Sequence, residues 1–348
     1  MDEFGKFIIV NSKFISSDGT ITKYSNKQIC PLYKNDIVMV MSDVPKGKAI
    51  AKCMLIDTDN KYTLNQRICS LRAKETPFFY LLQINRNDYF LKFDDGVKQT
   101  NLRKEDILSC PIYETMPQEQ QKIADFLSLV DELIEKQRQL VEVLKRYKRG
   151  CFIYAYGQYP TNNYCIKDLG KMLSTGTLSK DDIITDGKHP CILYGELFTR
   201  YAEIIVVVDS RTNKMPTCMG KPNDILFPTS TTVDALSLIA PSALRVDDVS
   251  LGGDMFVIRI NENHDNRFVS YLINYLCKNS LAKYAQGTTI IHLHYTDIMN
   301  HVLTLPQKAI QQKIADFMDE LEQTIIKEDK ILARLLTTKS ALLQQMFI

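Results

Sequence analysis

His292 and His294 lie two residues apart with His301 close behind, a spacing that could set two imidazoles on one face of a strand. No carboxylate accompanies them at a clear ligand spacing, so the pair is a weak ligand set. Asp131, Glu135 and Lys136 faintly resemble a nuclease constellation, yet they fall inside one long helical stretch and read as surface charge. No Gly-x-Gly-x-x-Gly follows a strand and no Gly-x-x-x-x-Gly-Lys-Ser/Thr loop is present, so dinucleotide and nucleotide-phosphate sites are not indicated. A Gly-x-Ser-x-Gly elbow is missing, as is the Asn-Pro-Pro-Tyr signature of amino-directed DNA methyltransferases. The sequence holds no convincing catalytic centre, and no cofactor is expected.

The strongest pattern is a repeat, which must be found before the fold is read. Gln121-Lys122-Ile123-Ala124-Asp125-Phe126 recurs about 190 residues later as Gln312-Lys313-Ile314-Ala315-Asp316-Phe317, and each copy opens a long helical stretch. Upstream, Gly96 and Gly287 are each followed by a leucine (Leu102, Leu293) and an Asp-Ile pair (Asp106-Ile107, Asp297-Ile298). Tyr80-Leu81 matches Tyr271-Leu272, and Asn35-Asp36-Ile37 matches Asn223-Asp224-Ile225. Two copies of one globular segment, each with its helix, are expected. Phe4-Gly5 lines up with Tyr194-Gly195, and the second copy has a further run before that point, Tyr164 to Leu193. The first copy is therefore expected to be shortened at its start by a strand and a helix.

Composition sets the frame for these copies. Hydrophobic residues make up 45% of the 348 and charged residues 24%, enough to bury the cores of two or more domains. No run of 18 apolar residues occurs, so no membrane span is expected, and the start carries no signal-peptide pattern. The nine cysteines are scattered and never spaced Cys-x-x-Cys, which points to reduced thiols in a cytoplasmic protein. A net charge of +2 does not announce a nucleic-acid partner; basic residues would have to be concentrated locally.

Pro117 and Pro306 stand just ahead of the two helices, where a fixed φ suits a helix start. In the first helix Ile123, Phe126, Val130, Leu133, Leu140, Leu144 and Tyr147 step by three and four, with Gln137 in the one polar slot. That spacing is a heptad seam. The second helix has Ile314, Phe317, Leu321, Ile331, Leu335 and Leu342 at the same phase, interrupted by Thr324, Glu328 and Thr338. Ile325, Leu332 and Leu336 widen that stripe. Each helix can run about 30 residues, or about 45–50 Å. The simplest burial sets one against the other, antiparallel, because a segment of about 150 residues between them lets the chain return. The alternative is that each helix packs on its own domain. Lys145-Arg146-Tyr147-Lys148-Arg149 reads as the cationic last turn that a helix dipole favours.

The segments between the helices read as mixed α/β. Strand-like runs are Ile8–Phe14, Asp36–Met41, Ile204–Val208, Asp224–Phe227 and Met255–Ile260, rich in Val, Ile and Phe. Phe78–Ile84 and Arg267–Cys277 have helical spacing, and Gly96–Leu102 and Gly287–Leu293 read as loops entering short strands. The fold class is thus α+β: two similar mixed α/β domains separated by two long antiparallel helices that form an intramolecular coiled coil.

A proline, a glutamine-rich lead, Gln-Lys-Ile-Ala-Asp-Phe and a heptad helix together resemble the conserved regions of type I restriction–modification DNA specificity (S) subunits. The ending Leu342-Leu343-Gln344-Gln345-Met346-Phe347 is similar to that family's usual terminus. Tyr194-Gly195-Glu196-Leu197, Asp224-Ile225-Leu226-Phe227-Pro228, Leu251-Gly252-Gly253-Asp254 and Ala285-Gln286-Gly287-Thr288 resemble segments of its target-recognition domains. The resemblance covers nearly the whole chain. It implies a shortened recognition domain at 1–115, a spacer helix at 116–152, a second recognition domain at 153–304 and a second spacer helix at 305–348. Each domain would read one half of a split site in double-stranded DNA. The helices would set the gap and dock two modification (methyltransferase) subunits, to which restriction subunits can add nuclease and translocase activity. The S subunit itself catalyses nothing.

The resemblance also nominates DNA-contacting residues in polar loops beside the motifs. In the second domain these are Thr229, Ser230, Thr231, Gln286, Gly287, Thr288, Thr289 and His292. In the first they are Ser42, Lys46, Lys48, Lys98, Gln99, Thr100 and Asn101. Hydroxyl and amide groups can bond base edges or phosphates, and lysines add affinity blind to sequence. The competing reading is local: such residues also cap helices and make turns, and Gly287 can serve backbone shape alone. The missing N-terminal element leaves the first domain incomplete, unable to read its half-site, or completed by another chain. The alternative function is a coiled-coil scaffold, or remnant specificity subunit, that holds its partner without reading DNA.

Overall fold

The computed structural model describes residues 5–44, 48–94, 98–215 and 218–347. Two compact units result: Met1–Gln139 with Lys330–Ile348, and Leu140–Asp329. Unit 1 begins with β1 (Phe7–Val10), α1 (Ser12–Ser16), β2 (Tyr24–Ser25), β3 (Ile37–Val40), β4 (Ser42–Asp43), β5 (Cys53–Leu55), β6 (Tyr62–Leu64) and β7 (Ile68–Leu71). There follow α2 (Pro77–Ile84), α3 (Asp88–Leu91), β8 (Thr100–Asn101), α4 (Lys104–Leu108) and the long α5 (Pro117–Tyr156). Strands pair as β2-β1-β6, β5-β3-β7 and β4-β8. Because side chains alternate along a strand, β3 feeds two cores. Ile37 and Met39 join Ile84, Phe90, Leu102 and Ile107 on one face, while Val38 and Val40 join Val10, Phe14 and Ile15 on the other.

Unit 2 opens with β9 (Asn162–Cys165), β10 (Gly170–Ser174), β11 (His189–Ile192), α6 (Glu196–Thr199), β12 (Ile204–Ile205), β13 (Arg211–Thr212) and β14 (Met219–Gly220). Next come β15 (Asp224–Pro228), β16 (Ser230–Thr231), α7 (Ala235–Leu238), β17 (Ser242–Leu244), β18 (Val249–Leu251) and β19 (Met255–Ile260). The unit continues with α8 (Asn266–Leu272), α9 (Lys278–Leu281), β20 (Ile291–His292), α10 (Tyr295–Ile298) and β21 (Val302–Leu305), and α11 (Lys308–Met346) follows. Its main sheet runs β10-β19-β15-β17-β12. The central strand β15 is buried throughout, as its apolar run Ile225–Phe227 requires when both faces are covered. Ile225 and Phe227 enter one core and Leu226 the other.

The repeat is a true structural one. Ile37 sits opposite Leu71 as Ile225 sits opposite Ile258. Beside each pair the same ion pair closes the strand start: Arg72 Nε to Asp36 Oδ1 at 2.6 Å, and Arg259 Nε to Asp224 Oδ1 at 2.7 Å. Burial alone would raise the Asp36 carboxyl, but the Arg72 guanidinium and the Tyr33 amide outweigh it and hold the group below its usual range.

Several expectations need correction. The strand expected over Ile8–Phe14 ends at Val10, because Asn11 turns the chain by accepting a hydrogen bond from the Phe14 amide at 2.9 Å and capping α1. The run Ile204–Val208 pairs only at Ile204 and Ile205, leaving Val206 and Val207 more than half exposed. The starts of the repeats also align differently. Val10 pairs in parallel with Leu64 as Ile192 does with Leu251, so Gly5 corresponds to Gly187 and not to Gly195. Both glycines lie where a Cβ would run into the neighbouring strand's backbone, at Ser25 and at Thr212. Phe4 lies outside the described residues. The described part of the first repeat has no counterpart of β9 and β10 or of the 3-10 turns Ile166–Asp168 and Lys180–Asp182, where the sequence predicts a strand and a helix.

The helices run 40 and 39 residues, beyond the expected 30, since α5 passes through Gly150 without a break. The basic run is therefore no helix end. Lys148 is buried and reaches Glu203 at 3.2 Å and Glu322 at 2.6 Å, while Arg149 donates to the Tyr275 carbonyl at 3.1 Å. The two helices contact each other within each unit. In unit 2 Lys148 pairs with Glu322, and in unit 1 Lys339 pairs with Asp131. Lys148 and Lys339 are repeat equivalents, as are Asp131 and Glu322, so each ion pair is the other's image and the helices are antiparallel.

The seam is wider than expected and one residue out of phase in one row. Val130, Gln137, Leu144, Leu321, Glu328 and Leu335 are half-buried as the spacing requires. The second row is Leu127, Ile134, Val141 and Lys148, with Met318, Ile325, Leu332 and Lys339 on the other helix. Phe126, Leu133, Leu140 and Tyr147, placed in the seam by spacing, are 42–57% exposed. Adjacent apolar residues make two heptad stripes on α5, and periodicity alone does not say which one is buried.

Two measurements check this packing. Ile134→Ala should lower unfolding free energy by about 2–4 kcal/mol, whereas Leu133→Ala should change it by less than about 0.5 kcal/mol in the same urea titration; equal losses would contradict the phase. The lowered Asp36 value means that its contribution is complete above the ordinary carboxylate pKa and is lost as pH falls through the folded one. The melting temperature of the parent should therefore drop more steeply between pH 4 and pH 2 than that of Arg72→Met.

Candidate nucleic-acid interface

In unit 2 the sheet edge above β15 continues into a small antiparallel ladder, with Ser230 opposite His292 and Thr231 opposite Ile291. Thr229 anchors it through the backbone alone: its amide donates to the Asp254 carbonyl and its carbonyl accepts from Leu293, both at 2.9 Å. The loop from Gln286 to His292 closes on itself, the Gln286 amide donating to His292 at 2.9 Å and the His292 amide returning to Gln286 at 2.7 Å. Gly287 makes this closure possible. Its φ is +117°, a region other residues avoid, and a Cβ there would meet the Ile290 carbonyl. Thr288 and Thr289 ride exposed on the tip.

Beside the ladder lies a cleft of about 810 Å³. Ser230, Thr231 and His292 line it, so the structure brings three of the expected residues together. Gln286, Gly287, Thr288 and Thr289 stand on the adjoining loop, and Thr229 is held below it. Sequence reasoning missed Phe198, Thr232, Ser237 and Lys278 in the same wall. Thr232 continues the polar run Thr229–Thr231 and could have been included; Lys278 sits in a helical stretch without any local signal. Burial pushes the Lys278 ammonium down, an effect that Asp234 and Glu203 partly offset. Asp234 is itself engaged in capping α7, accepting from the Ser237 amide at 2.7 Å. The cleft thus presents hydroxyls, one imidazole, the half-buried Lys278 ammonium and the Asp254 carboxylate. Such a set can bond phosphate oxygens and base edges.

Unit 1 carries the same ladder, with Ser42 opposite Asn101 and Asp43 opposite Thr100. Its polar groups are more inward. Ser42 is buried and its hydroxyl accepts from Gln99 Nε2 at 2.6 Å; Thr100 is buried and donates to Asp94 Oδ1 at 3.1 Å. Gln99 also reaches Asn101 Oδ1 at 3.4 Å. Gln99, Asn101, Lys48 and Lys98 are exposed, and the Lys48 carbonyl accepts from Arg86. Lys46 and Gly96 lie outside the described residues. The Asp43 carboxylate accepts from the amides of Ala49 and Ile50 at 2.6 and 3.1 Å.

The histidine spacing resolves as His292 on the ladder and His294 before α10, their rings parallel with centroids 6.3 Å apart, while His301 contacts Ser280 and Tyr284. Among the described residues no group of three or more His, Cys, Asp or Glu could hold a metal ion. The nine cysteines are free thiols. Among the described residues no helix is long and apolar enough to cross a membrane.

Comparison with known proteins follows the same duplicated geometry. The family described as type I restriction modification DNA specificity domain matches residues 2–146 and again 160–337. The type I restriction enzyme MjaIX specificity subunit of Methanocaldococcus jannaschii is 23% identical over 352 residues, covering 90% of this chain and 77% of that protein. The crystal structure of the type I restriction–modification S subunit from M. genitalium superposes with a TM-score of 0.59 at 16% identity, covering 100% of this chain and 90% of that one. A structure solved to explain assembly and conformational transition of the type I system gives 0.54 at 14% identity, with 97% and 90% covered. One match falls on each repeat and together they span nearly the whole chain; the chain therefore belongs to the type I restriction modification DNA specificity family, whose members recognise the target for a restriction–modification complex without catalysing its reactions.

Proposed function

We propose that this chain gives a type I complex a split DNA target, one half read by residues 1–115 and the other by residues 153–304. The spacer segments 116–152 and 305–348 join the two readings and carry the modification subunits. The observation that carries this reading is the polar ladder at the same place in both repeats: Ser42 with Asn101, and Ser230 with His292. A shared scaffold with different polar side chains at one site suits two different half-sites. Linking two modest interactions on one chain turns the second into an intramolecular event and raises joint affinity through effective concentration.

The exposed stripe of α5 supports the docking of modification subunits. Phe126, Leu129 and Leu133 in unit 1, and Leu140, Val143 and Tyr147 in unit 2, are 42–59% exposed and follow a heptad spacing of their own. The repeat equivalents on α11 are Phe317, Glu320, Thr324, Ile331, Arg334 and Thr338, of which only Phe317 and Ile331 are large and apolar, so the two helices offer unequal faces. Two modification subunits per chain fit the duplication, with the α5 side the tighter of the two.

Purified complex should bind one split sequence, and methylation mapping in cells with and without the chain should reveal it. Lys278→Gln should weaken binding to all sequences and lower the slope of log K against log salt by about 1; a change in base preference with an unaltered slope would contradict a phosphate role. Leu133→Glu combined with Leu140→Glu should sharply reduce co-purification of the modification subunit while leaving the melting temperature unchanged. Full retention of that subunit would remove the α5 face from the account.

A further inference from the structure

The segment Leu251-Gly252-Gly253-Asp254 has its structural counterpart in Leu64-Asn65-Gln66-Arg67. Residues 252–254 join β18 to β19 and residues 65–67 join β6 to β7, so each three-residue tip crosses from one sheet of its domain to another. The Gly252 amide donates to the Ile192 carbonyl at 2.9 Å, as the Asn65 amide does to the Val10 carbonyl at 3.1 Å. The last residue of each tip is tied to the start of the polar ladder. Its carbonyl accepts from the Thr229 amide at 2.9 Å in unit 2 and from the Met41 amide at 3.0 Å in unit 1. The Thr229 and Met41 carbonyls in turn accept from Leu293 and Leu102, at 2.9 and 2.8 Å. Asp254 and Arg67 therefore occupy one place in the shared scaffold.

The two residues at that place carry opposite charge. Both are exposed, and among the described residues neither side chain is engaged by a hydrogen bond or an ion pair. Asp254 shares the cleft wall with Ser230, Thr231 and His292. Its φ of +56° is left-handed, a conformation that aspartate and asparagine adopt more readily than most side-chain-bearing residues. Phosphates repel a carboxylate, so Asp254 adds nothing to affinity that is blind to sequence. It fits a DNA interface only opposite a base edge that donates. In the major groove cytosine and adenine carry an amino group, whereas guanine and thymine offer acceptors alone. The adenine N7 acceptor stands beside its amino group and repels a second acceptor, which leaves cytosine as the matching base.

We propose that Asp254 and Arg67 read bases from one shared position. Asp254 accepts from the N4 amino group of a cytosine in the half-site of residues 153–304. Arg67 donates two hydrogen bonds to O6 and N7 of a guanine in the half-site of residues 1–115, the pairing that a guanidinium fork fits best. Exposure alone would suit Arg67 to a phosphate as well as to a base. Its place in the scaffold decides between them, because in the other repeat that place holds a carboxylate, which phosphates exclude. The assignment rests on the reading of each repeat as a half-site reader, and adds to it the class of base at one position of each half.

The test uses the complex of this chain with its modification subunits and the split sequence that it binds. Each base pair of that sequence is replaced in turn by the other three, and binding is followed by fluorescence anisotropy over a salt series. The parent should lose about tenfold in affinity when one cytosine in one half, or one guanine in the other, is replaced. Asp254→Gly, which accepts the left-handed backbone freely, should abolish the preference at that cytosine alone. Asp254→Asn, which sets a donor beside its acceptor, should shift the preference there to adenine. Arg67→Met should abolish the preference at the guanine alone, with the slope of log K against log salt unchanged. Uniform weakening by Arg67→Met with the slope lowered by about 1 would mean a phosphate contact and overturn its assignment. Asp254→Gly with every base preference intact would overturn the other. A parent without any sequence preference would instead remove the half-site reading itself, so the two failures are distinct.

Discussion

Burial of the same heptad positions by both long helices is the constraint on which the rest depends. Leu127, Ile134 and Val141 on α5 and Met318, Ile325 and Leu332 on α11 are repeat equivalents, and leaving them in water would cost about 1.5–3 kcal/mol for each large side chain. Apolar burial by itself tolerates sliding. Register comes from charge: Lys148 with Glu322, and its image Lys339 with Asp131. Lys148 is the more demanding of the two lysines, being buried over the Tyr271 ring with Glu203 as a second partner. A buried ion pair of this kind is a poor source of net stability but a strict one of geometry, since any slide strands a charge.

The lobes obey the same economy of reuse. One strand, β3 or β15, feeds two cores by alternation, and an arginine–aspartate pair closes its start in both repeats. That skeleton leaves the ladder beyond the strand free to vary. In unit 2 it borders an open cleft with hydroxyls and Lys278, while in unit 1 Ser42, Gln99 and Thr100 are largely spent on bonds within the domain. Common scaffold and divergent polar edge are what the proposed pair of half-site readers would require.

Much of this was legible from residue types. The hexapeptide repeat revealed the duplication because Ala124 and Ala315, with Ile123 and Ile314 beside them, must fit a helix interface. Strands β15 and β19 stood out through their apolar runs Ile225–Phe227 and Met255–Ile258. Other features were hidden for physical reasons. Two apolar stripes share α5, so Phe126, Leu133, Leu140 and Tyr147 satisfied the heptad spacing without being buried. Asn11 ended a strand that Val, Ile and Phe spacing would have extended, through a side-chain cap that outweighs propensity. Lys278 gave no sign at all, because its place in the cleft wall with Ser230 and Thr231 depends on the fold and not on its neighbours in sequence.

The pairing of the helices is open to one direct measurement, a double-mutant cycle on Asp131 and Lys339 read by urea unfolding. Each single substitution to alanine removes one side of the interhelical pair, and the double removes both. The antiparallel register predicts a favourable coupling of about 0.5–1 kcal/mol between the two positions. Strictly additive losses, with no coupling, would mean that these side chains do not meet and that the helices are not paired as described.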